Sequence, residues 1–338
     1  MTIKDIARKA GVSVSTVSRA LNGHPDVSEA LRKKILEIVR AEHYVPNSSA
    51  RDLVLQESDT IGLIVRGIGN PFFTELIPLI EEAIVRSGYT PFVEQIATGA
   101  DEIRAGAALA RSKKLRGLIF LGGRFDYTEE DVAVLSVPFV CCSYTNSFGT
   151  LPETSYSSVS IDDEKTAALA VTTLTERGHK RIAVILDTME DHSISELRYR
   201  GYLSALRDAG IEPDPALVVE TNAFTMPEAY RGIRRLAASG TEFTAVFSIS
   251  DSMAVAAIRA LVDAGKRVPE DCSVIAIDGI PFTEYTVPVL TTLVQPTRTM
   301  AERSVSTLIG VIEGRGKHRH LLLETGLRTG GSVRPRTV

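Results

Sequence analysis

Three groups of residues have types and spacing that suit chemistry. The first is Val14, Ser15, Thr16, Ser18 and Arg19, which share one side of a helical pattern whose other side is Val17, Ala20 and Leu21. Short hydroxyls reach phosphates and base edges, Arg forks onto guanine, and a Val meets a thymine methyl, so the set suits a DNA major groove. On pattern alone, a structural bundle with a polar face remains open. The second group is Asp162, Arg198 and Asp278 with the aromatics Phe72, Phe73, Tyr144 and Phe224. Aromatic faces stack on a sugar ring or a base, and charged groups in a closed cleft bond hydroxyls strongly when each is paired. His192, in the 187–196 loop, is a further candidate contact. One of Phe72 and Phe73 is expected in the core. Arg198 can instead pair with Asp278, and Asp162 can be a crossover hydrogen-bonder with no ligand. The third group, His318 and His320 among Lys317 and Arg319, lacks the further ligands a metal needs and reads as a solvated basic loop.

Catalytic signatures are missing. There is no nucleophile elbow, P-loop or metalloprotease helix motif, and Gly67-Ile68-Gly69 lacks the third glycine of a dinucleotide fingerprint. The expectation is a binding protein, not an enzyme, with no cofactor and no metal.

The chain has 338 residues, 44% hydrophobic and 24% charged, enough for two or three domains. No apolar run is long enough to span a membrane. Met1–Asp5 lacks the apolar stretch of a secretory signal, and three cysteines make no disulfide framework, so a reducing cytoplasm is expected. Cys141 and Cys142 are adjacent in an apolar run and should sit on opposite faces of a strand. The net charge of −4 is uneven: residues 1–53 hold nine Lys/Arg against six Asp/Glu, and the rest hold 29 against 36. A small basic head on an acidic body suits a polyanion partner for the head.

The elements that must position these groups follow from the pattern. Ile3, Ile6, Ala7 and Ala10 make a short helix with Thr2 and Asp5 near its start and Gly11 at its end. Ser13 caps a second helix over Val14–Leu21, and Ser28 caps a third carrying Leu31, Ile35 and Val39. That is a helix-turn-helix plan. From Thr60, apolar strands such as Ile61–Val65, Leu118–Leu121 and Phe139–Cys142 alternate with helices, the first opened by Asn70-Pro71. The theme restarts at Ile182–Ile185 and runs through Ala245–Ser248 and Ser273–Ile277. Two α/β halves with parallel sheets make a cleft whose ligand lies beyond the strands' carboxyl ends.

Thr2–Ala7, Ala10–Ser13, Thr16–Asn22 and His43–Asn47, leading to Ala50-Arg51-Asp52-Leu53, resemble the headpiece of the lactose/galactose/purine repressor (LacI/GalR) family. Asn70–Phe73, Gly178-His179, Arg198–Tyr202, Pro269–Asp271, Ile277-Asp278 and Leu290–Thr292 resemble its body in the same order. The resemblance implies that Val14, Ser15 and Arg19 read bases, while Thr2, Ser13, Thr16, Ser18, Asn22 and Tyr44 hold the DNA backbone. It implies a hinge helix over Ser48–Leu53, with Ala50, Arg51 and Leu53 at the minor groove and Leu53 prying open a base step. It also implies effector contacts at Arg198 and Asp278.

By the same resemblance the fold is α/β: an all-helical helix-turn-helix head at 1–46, a hinge and linker at 47–58, and a two-lobed periplasmic-binding-protein-like body at 59–338. Crossovers near Asp162, Thr291 and Leu321 put 59–161 and 291–321 in one lobe, 162–290 and 322–338 in the other. The implied function is a repressor of palindromic operator DNA, controlled by a carbohydrate between the lobes. A purine- or nucleoside-responsive corepressed regulator is the alternative, then a sensor that does not bind DNA. The helix over Phe72–Ile84 and the segment Phe282–Leu290 are the implied dimer contacts. The closing stretch Gly330–Val338 holds no apolar heptad, so a dimer is expected rather than a tetramer.

Overall fold

The structure is a computed structural model that describes residues 2–21, 24–42, 58–188 and 192–336. It divides into two compact units, Met1–Ser58 and Asp59–Val338.

The first unit holds three helices, α1 (Ile3–Ala10), α2 (Val14–Leu21) and α3 (Glu29–Ala41). Each begins where a side chain satisfies an orphan backbone N–H. Thr2 and Asp5 form a reciprocal capping box, with the Thr2 N–H donating to Asp5 Oδ2 at 2.9 Å. Ser13 Oγ accepts from the Thr16 N–H at 3.1 Å, and Ser28 Oγ from the Leu31 N–H at 3.4 Å. Gly11 ends α1 at φ +73°, a left-handed conformation costly for residues with a Cβ. Ile6, Ala7, Ala10, Val17, Ala20, Val27 and Ile35 form the core of this unit.

The second unit carries two six-stranded sheets. In chain order its elements begin β1 (Thr60–Arg66), α4 (Pro71–Arg86), β2 (Thr90–Ile96), α5 (Glu102–Lys113), β3 (Gly117–Leu121), α6 (Glu129–Val132), β4 (Phe139–Cys142) and β5 (Ser157–Ile161). Then come α7 (Asp163–Thr175), β6 (Ile182–Leu186), α8 (Ile194–Asp208), β7 (Val218–Glu220), α9 (Met226–Ala238), β8 (Ala245–Ser248), α10 (Asp251–Asp263) and β9 (Ser273–Asp278). The chain closes with β10 (Thr291–Val294), α11 (Thr297–Ile312), β11 (His320–Leu323) and β12 (Gly326–Arg328).

The first sheet has the order β11-β5-β4-β3-β1-β2, with every pairing parallel. Its central strands are buried on both faces, as their unbroken apolar runs require. Cys141 faces one core layer, with Phe120 and Tyr144, and Cys142 the other, with Leu76 and Val305. The two adjacent thiols therefore do lie on opposite faces of one strand. The second sheet has the order β12-β10-β9-β8-β6-β7, parallel except where β12 pairs antiparallel with β10.

Two crossover positions differ from the expectation. Thr291–Val294 pairs with β9 and belongs to the second sheet, so the chain returns to the first lobe after Val294 rather than before Thr291. The last crossing falls between Leu323, paired with Ile161, and Gly326, paired with Val294. The physical reason is pairing: an apolar strand does not name its sheet, and only its hydrogen-bonded neighbour does.

Candidate functional site: an exposed helix and a buried charge cluster

In the head, α2 presents the expected residues outward. Val14, Ser15 and Arg19 are exposed, and Thr16 and Ser18 are half-buried. Two of the hydroxyls are tied to the cap: Ser13 Oγ lies 2.7 Å from Ser15 Oγ and 2.8 Å from Thr16 Oγ1. The Thr2 N–H and then its Oγ1, which donates to Asp5 at 2.9 Å, hold the Asp5 carboxyl below its ordinary range. Asn22, Tyr44, Ala50, Arg51 and Leu53, with the 47–57 part of the expected hinge, lie outside the described residues.

In the second lobe, Arg198 comes from the first turns of α8 and is 4% exposed. Its Nε donates to Asp163 Oδ1 at 3.0 Å, and its Nη2 lies 2.9 Å from the same oxygen in an ion pair. Its Nη1 lies 3.7 Å from Asp278 Oδ1 and also donates to the Ile249 carbonyl. Asp278 is the last residue of β9, at the strand's carboxyl end, with φ +135°. Gln295 Nε2 donates to Asp278 Oδ1 at 2.9 Å, and the Gln295 N–H donates to the Asp278 carbonyl at 3.0 Å. Asp278 Oδ2 is buried with no hydrogen-bond partner among the described residues. Burial pushes the Asp278 carboxyl well above the ordinary carboxylate range. Arg198 opposes that rise and the neighbouring Asp251 adds to it.

Asp251 opens α10 and completes the cluster. Its Oδ2 accepts from the Ile280 N–H at 2.9 Å and its Oδ1 from Thr292 Oγ1 at 2.5 Å. Burial raises the carboxyls of both Asp251 and Asp163. The arrangement is a buried cluster of one guanidinium among three acids, with one carboxyl oxygen of Asp278 left unbonded. Such a group bonds strongly to a donor that reaches it, and is costly while unmet.

The remaining expected residues have other surroundings. Phe72 is buried in the first lobe's core beside Leu76 and Ile80, whereas its half-buried neighbour Phe73 lies 6.1 Å away ring to ring. Tyr144 is fully buried, its hydroxyl 3.5 Å from that of Tyr127. Tyr127 in turn donates to the buried Glu102, which also accepts from the Arg124 N–H at 2.8 Å. Burial pushes the Tyr127 hydroxyl far above its usual range. Asp162 is exposed and serves as the N-cap of α7, accepting from the Lys165 N–H at 2.9 Å. His192 is exposed and Phe224 half-buried.

Sequence reasoning missed Asp163, Asp251, Gln295 and Glu102. The signal for Asp163 was present as the pair Asp162-Asp163, but the helix cap took the first and the interior the second. Lys317 and Arg319 are exposed, but His318, in the loop before β11, and His320, its first residue, are half-buried. Their Nδ1 atoms lie 3.0 and 2.9 Å from Ser157 and Ser158 Oγ, because β11 adds to the sheet edge there. Among the described residues no three metal-ligating side chains come together, and no helix is long and apolar enough to cross a membrane.

Comparison with known proteins gives the same two parts. Residues 2–47 match the family model of bacterial regulatory proteins of the lacI family, and residues 171–333 match that of a periplasmic binding protein-like domain. The chain is 38% identical to the HTH-type transcriptional regulator MalR of Clostridium butyricum, over 97% of each chain. It is 31% identical to the ribose operon repressor of Haemophilus influenzae, over 96% of each. Among solved structures it resembles the complex of the transcriptional regulator CelR with cellobiose, at TM-score 0.73 and 29% identity, covering 98% of this chain and 99% of that one.

Proposed function

From the premise that this chain belongs to the lacI family of bacterial regulatory proteins and is a DNA-binding transcriptional regulator, we propose that a carbohydrate bound between its two lobes controls its operator affinity. The observation that carries this reading is the unbonded, buried Asp278 Oδ2 beside Arg198 at the carboxyl end of β9. Burial holds the Asp278 carboxyl toward its protonated form, so a sugar hydroxyl meets this oxygen either as acceptor from the acid or as donor to the carboxylate, and a polyol offers several hydroxyls to Arg198, Asp163 and Asp278 together. The cluster is acidic overall, which disfavours a phosphate. The ribose operon repressor is named for a sugar, and the CelR complex holds cellobiose, which supports the same chemical class.

On this reading α2 enters the major groove. Val14, Ser15 and Arg19 meet base edges, and Thr2, Ser13, Thr16 and Ser18 meet the backbone. One short helix makes few contacts, so two heads act on a palindromic site. The second copy is expected against the apolar stretch Phe282, Tyr285, Val287 and Val289, of which Tyr285 and Val287 are 85% and 95% exposed. Closure of the lobes then biases the two heads. A coupling of about 1–3 kcal/mol changes DNA affinity roughly 5–150-fold, and DNA changes effector affinity by the same factor. The protein acts by binding rather than catalysis, in the cytoplasm where its DNA lies.

A thermal-shift panel of maltose, cellobiose, ribose and nucleosides tests this reading, because a ligand that binds only the folded state raises the melting temperature. A sugar should stabilise the full chain, and Asp278→Ala should abolish that shift. A nucleoside hit with no sugar response overturns the carbohydrate assignment.

A further inference from the structure

Phe148 belongs to the first lobe, in the segment between β4 and β5, and its backbone is held there by first-lobe residues. Its N–H donates to the Phe125 carbonyl at 2.8 Å. Asn146 clamps Tyr127 from both sides, accepting from its N–H at 2.6 Å and donating to its carbonyl at 2.9 Å. A Cβ at Gly149 would lie 2.3 Å from the Tyr127 carbonyl oxygen, so this close approach needs glycine. The result is a rigid finger that carries one aromatic ring.

The ring rests on the second lobe. It stacks on His192 at 4.8 Å and 27°, and the Arg200 guanidinium lies 5.0 Å from its centroid. Glu196 and Arg200 lie four residues apart on one face of α8, and His192 stands just before the helix's N-cap, Ser193. Glu196 ties the three together: Oε2 lies 3.1 Å from His192 Nδ1, and Oε1 accepts from Arg200 Nη2 at 2.6 Å. Ile194 and Leu197, from the same turns, pack against the first lobe's cluster of Phe125, Tyr127 and Tyr144. His192 itself is held at φ +43°, a conformation that costs a β-carbon residue energy and persists only where its surroundings impose it.

We infer that Phe148 is a latch: seated against His192 and Arg200, it holds the two lobes closed at the α8 rim before any effector arrives. The inference rests on the reading of the body as two lobes that close around a ligand, and adds what sets the closed fraction. A stacked ring and a nearby cation together shift the closed-to-open ratio by about tenfold, or about 1.4 kcal/mol. The effector then completes a closure that the latch has already biased, and the latch tunes the concentration at which it acts.

Spin-label distances in the full chain, with neither DNA nor effector, test the latch. The exposed Glu130 in the first lobe and Asp208 in the second are changed to Cys and labelled. Cys141, Cys142 and Cys272 are buried, and burial pushes their thiols up to about 12, 11 and 12, so they stay unlabelled. Excess unlabelled chain leaves one labelled copy in any oligomer. The parent should show one dominant short distance, and Phe148→Ala should move about tenfold of that ratio toward longer distances. Arg200→Ala should act in the same direction with a smaller shift. If Phe148→Ala fails to fold, Phe148→Leu keeps apolar volume without a ring face, and should still open the lobes. An unchanged distribution in a folded Phe148 variant overturns the latch, as does a parent already broadly open. Because no sugar is present, this outcome is independent of the thermal-shift test of the carbohydrate reading.

Discussion

The head and the body handle polar chemistry in opposite ways. In the head, Val14, Ser15 and Arg19 stand in solvent, and the helix beneath them depends on Val17 and Ala20 instead. In the body, Arg198, Asp163, Asp251 and Asp278 are all buried, and the fold around them depends on their mutual pairing. A surface that must dock on a hydrated polyanion keeps its donors wet and lets the partner desolvate them. A site for a small neutral ligand is desolvated in advance, so its bonds are strong and its empty state is costly. The difference predicts that head substitutions change binding without changing stability, whereas cluster substitutions change both.

The largest effect should come from Arg198→Ala. It leaves Asp163 and Asp278 buried without their cation and should lower unfolding free energy by about 3–5 kcal/mol in urea melts. A change under about 1 kcal/mol would mean that the cluster is wetter than its burial implies. Next is Arg19→Ala, expected to lose about 1–3 kcal/mol of operator discrimination in anisotropy titrations against specific and random duplexes. The melting temperature should not move. A joint loss of stability and binding would break the contrast.

The third effect concerns pH. Asp278 and Asp251 have carboxyls raised in the folded state, so the folded protein holds protons that the unfolded chain has already released. Their contribution is full below the unfolded carboxylate value of about 4 and is lost as pH rises through the raised folded values. Wild-type stability should therefore fall over that window, and Asp278→Asn should flatten the fall by about 1 kcal/mol while keeping a bond to Gln295. A steeper fall in the variant contradicts desolvation as the dominant cause. The smallest effect on the fold should be that of Val287→Ser at the exposed apolar stretch, within about 0.5 kcal/mol per chain. Sedimentation should nevertheless show a weaker dimer, and unchanged association would remove this stretch from the interface.

Local signals carried the head well. Thr2, Asp5, Gly11, Ser13 and Ser28 act within three or four residues of themselves, and each does in the structure what its type implies. The strand cores were equally legible, since an unbroken apolar run such as Ile61–Val65 has few other fates. The site was legible in part. Arg198 and Asp278 come together as one of the two readings of that pair allowed. Phe72 went into the core and Phe73 did not, because successive residues of a helix face different sides. Asp162 and Asp163 divided their roles for the same reason, one capping α7 and one meeting Arg198.

What the sequence determined by itself is what short-range physics decides: where helices start and stop, which runs are buried strands, and that a helical head precedes two α/β lobes. Only the tertiary structure decided which sheet Thr291–Val294 joins, that Glu102 and Asp251 lie buried, and that Phe148 meets His192 and Arg200 across the lobes. These are contacts between residues far apart in the chain. Their cost in loop closure is met by the whole fold at once, and no local pattern encodes them.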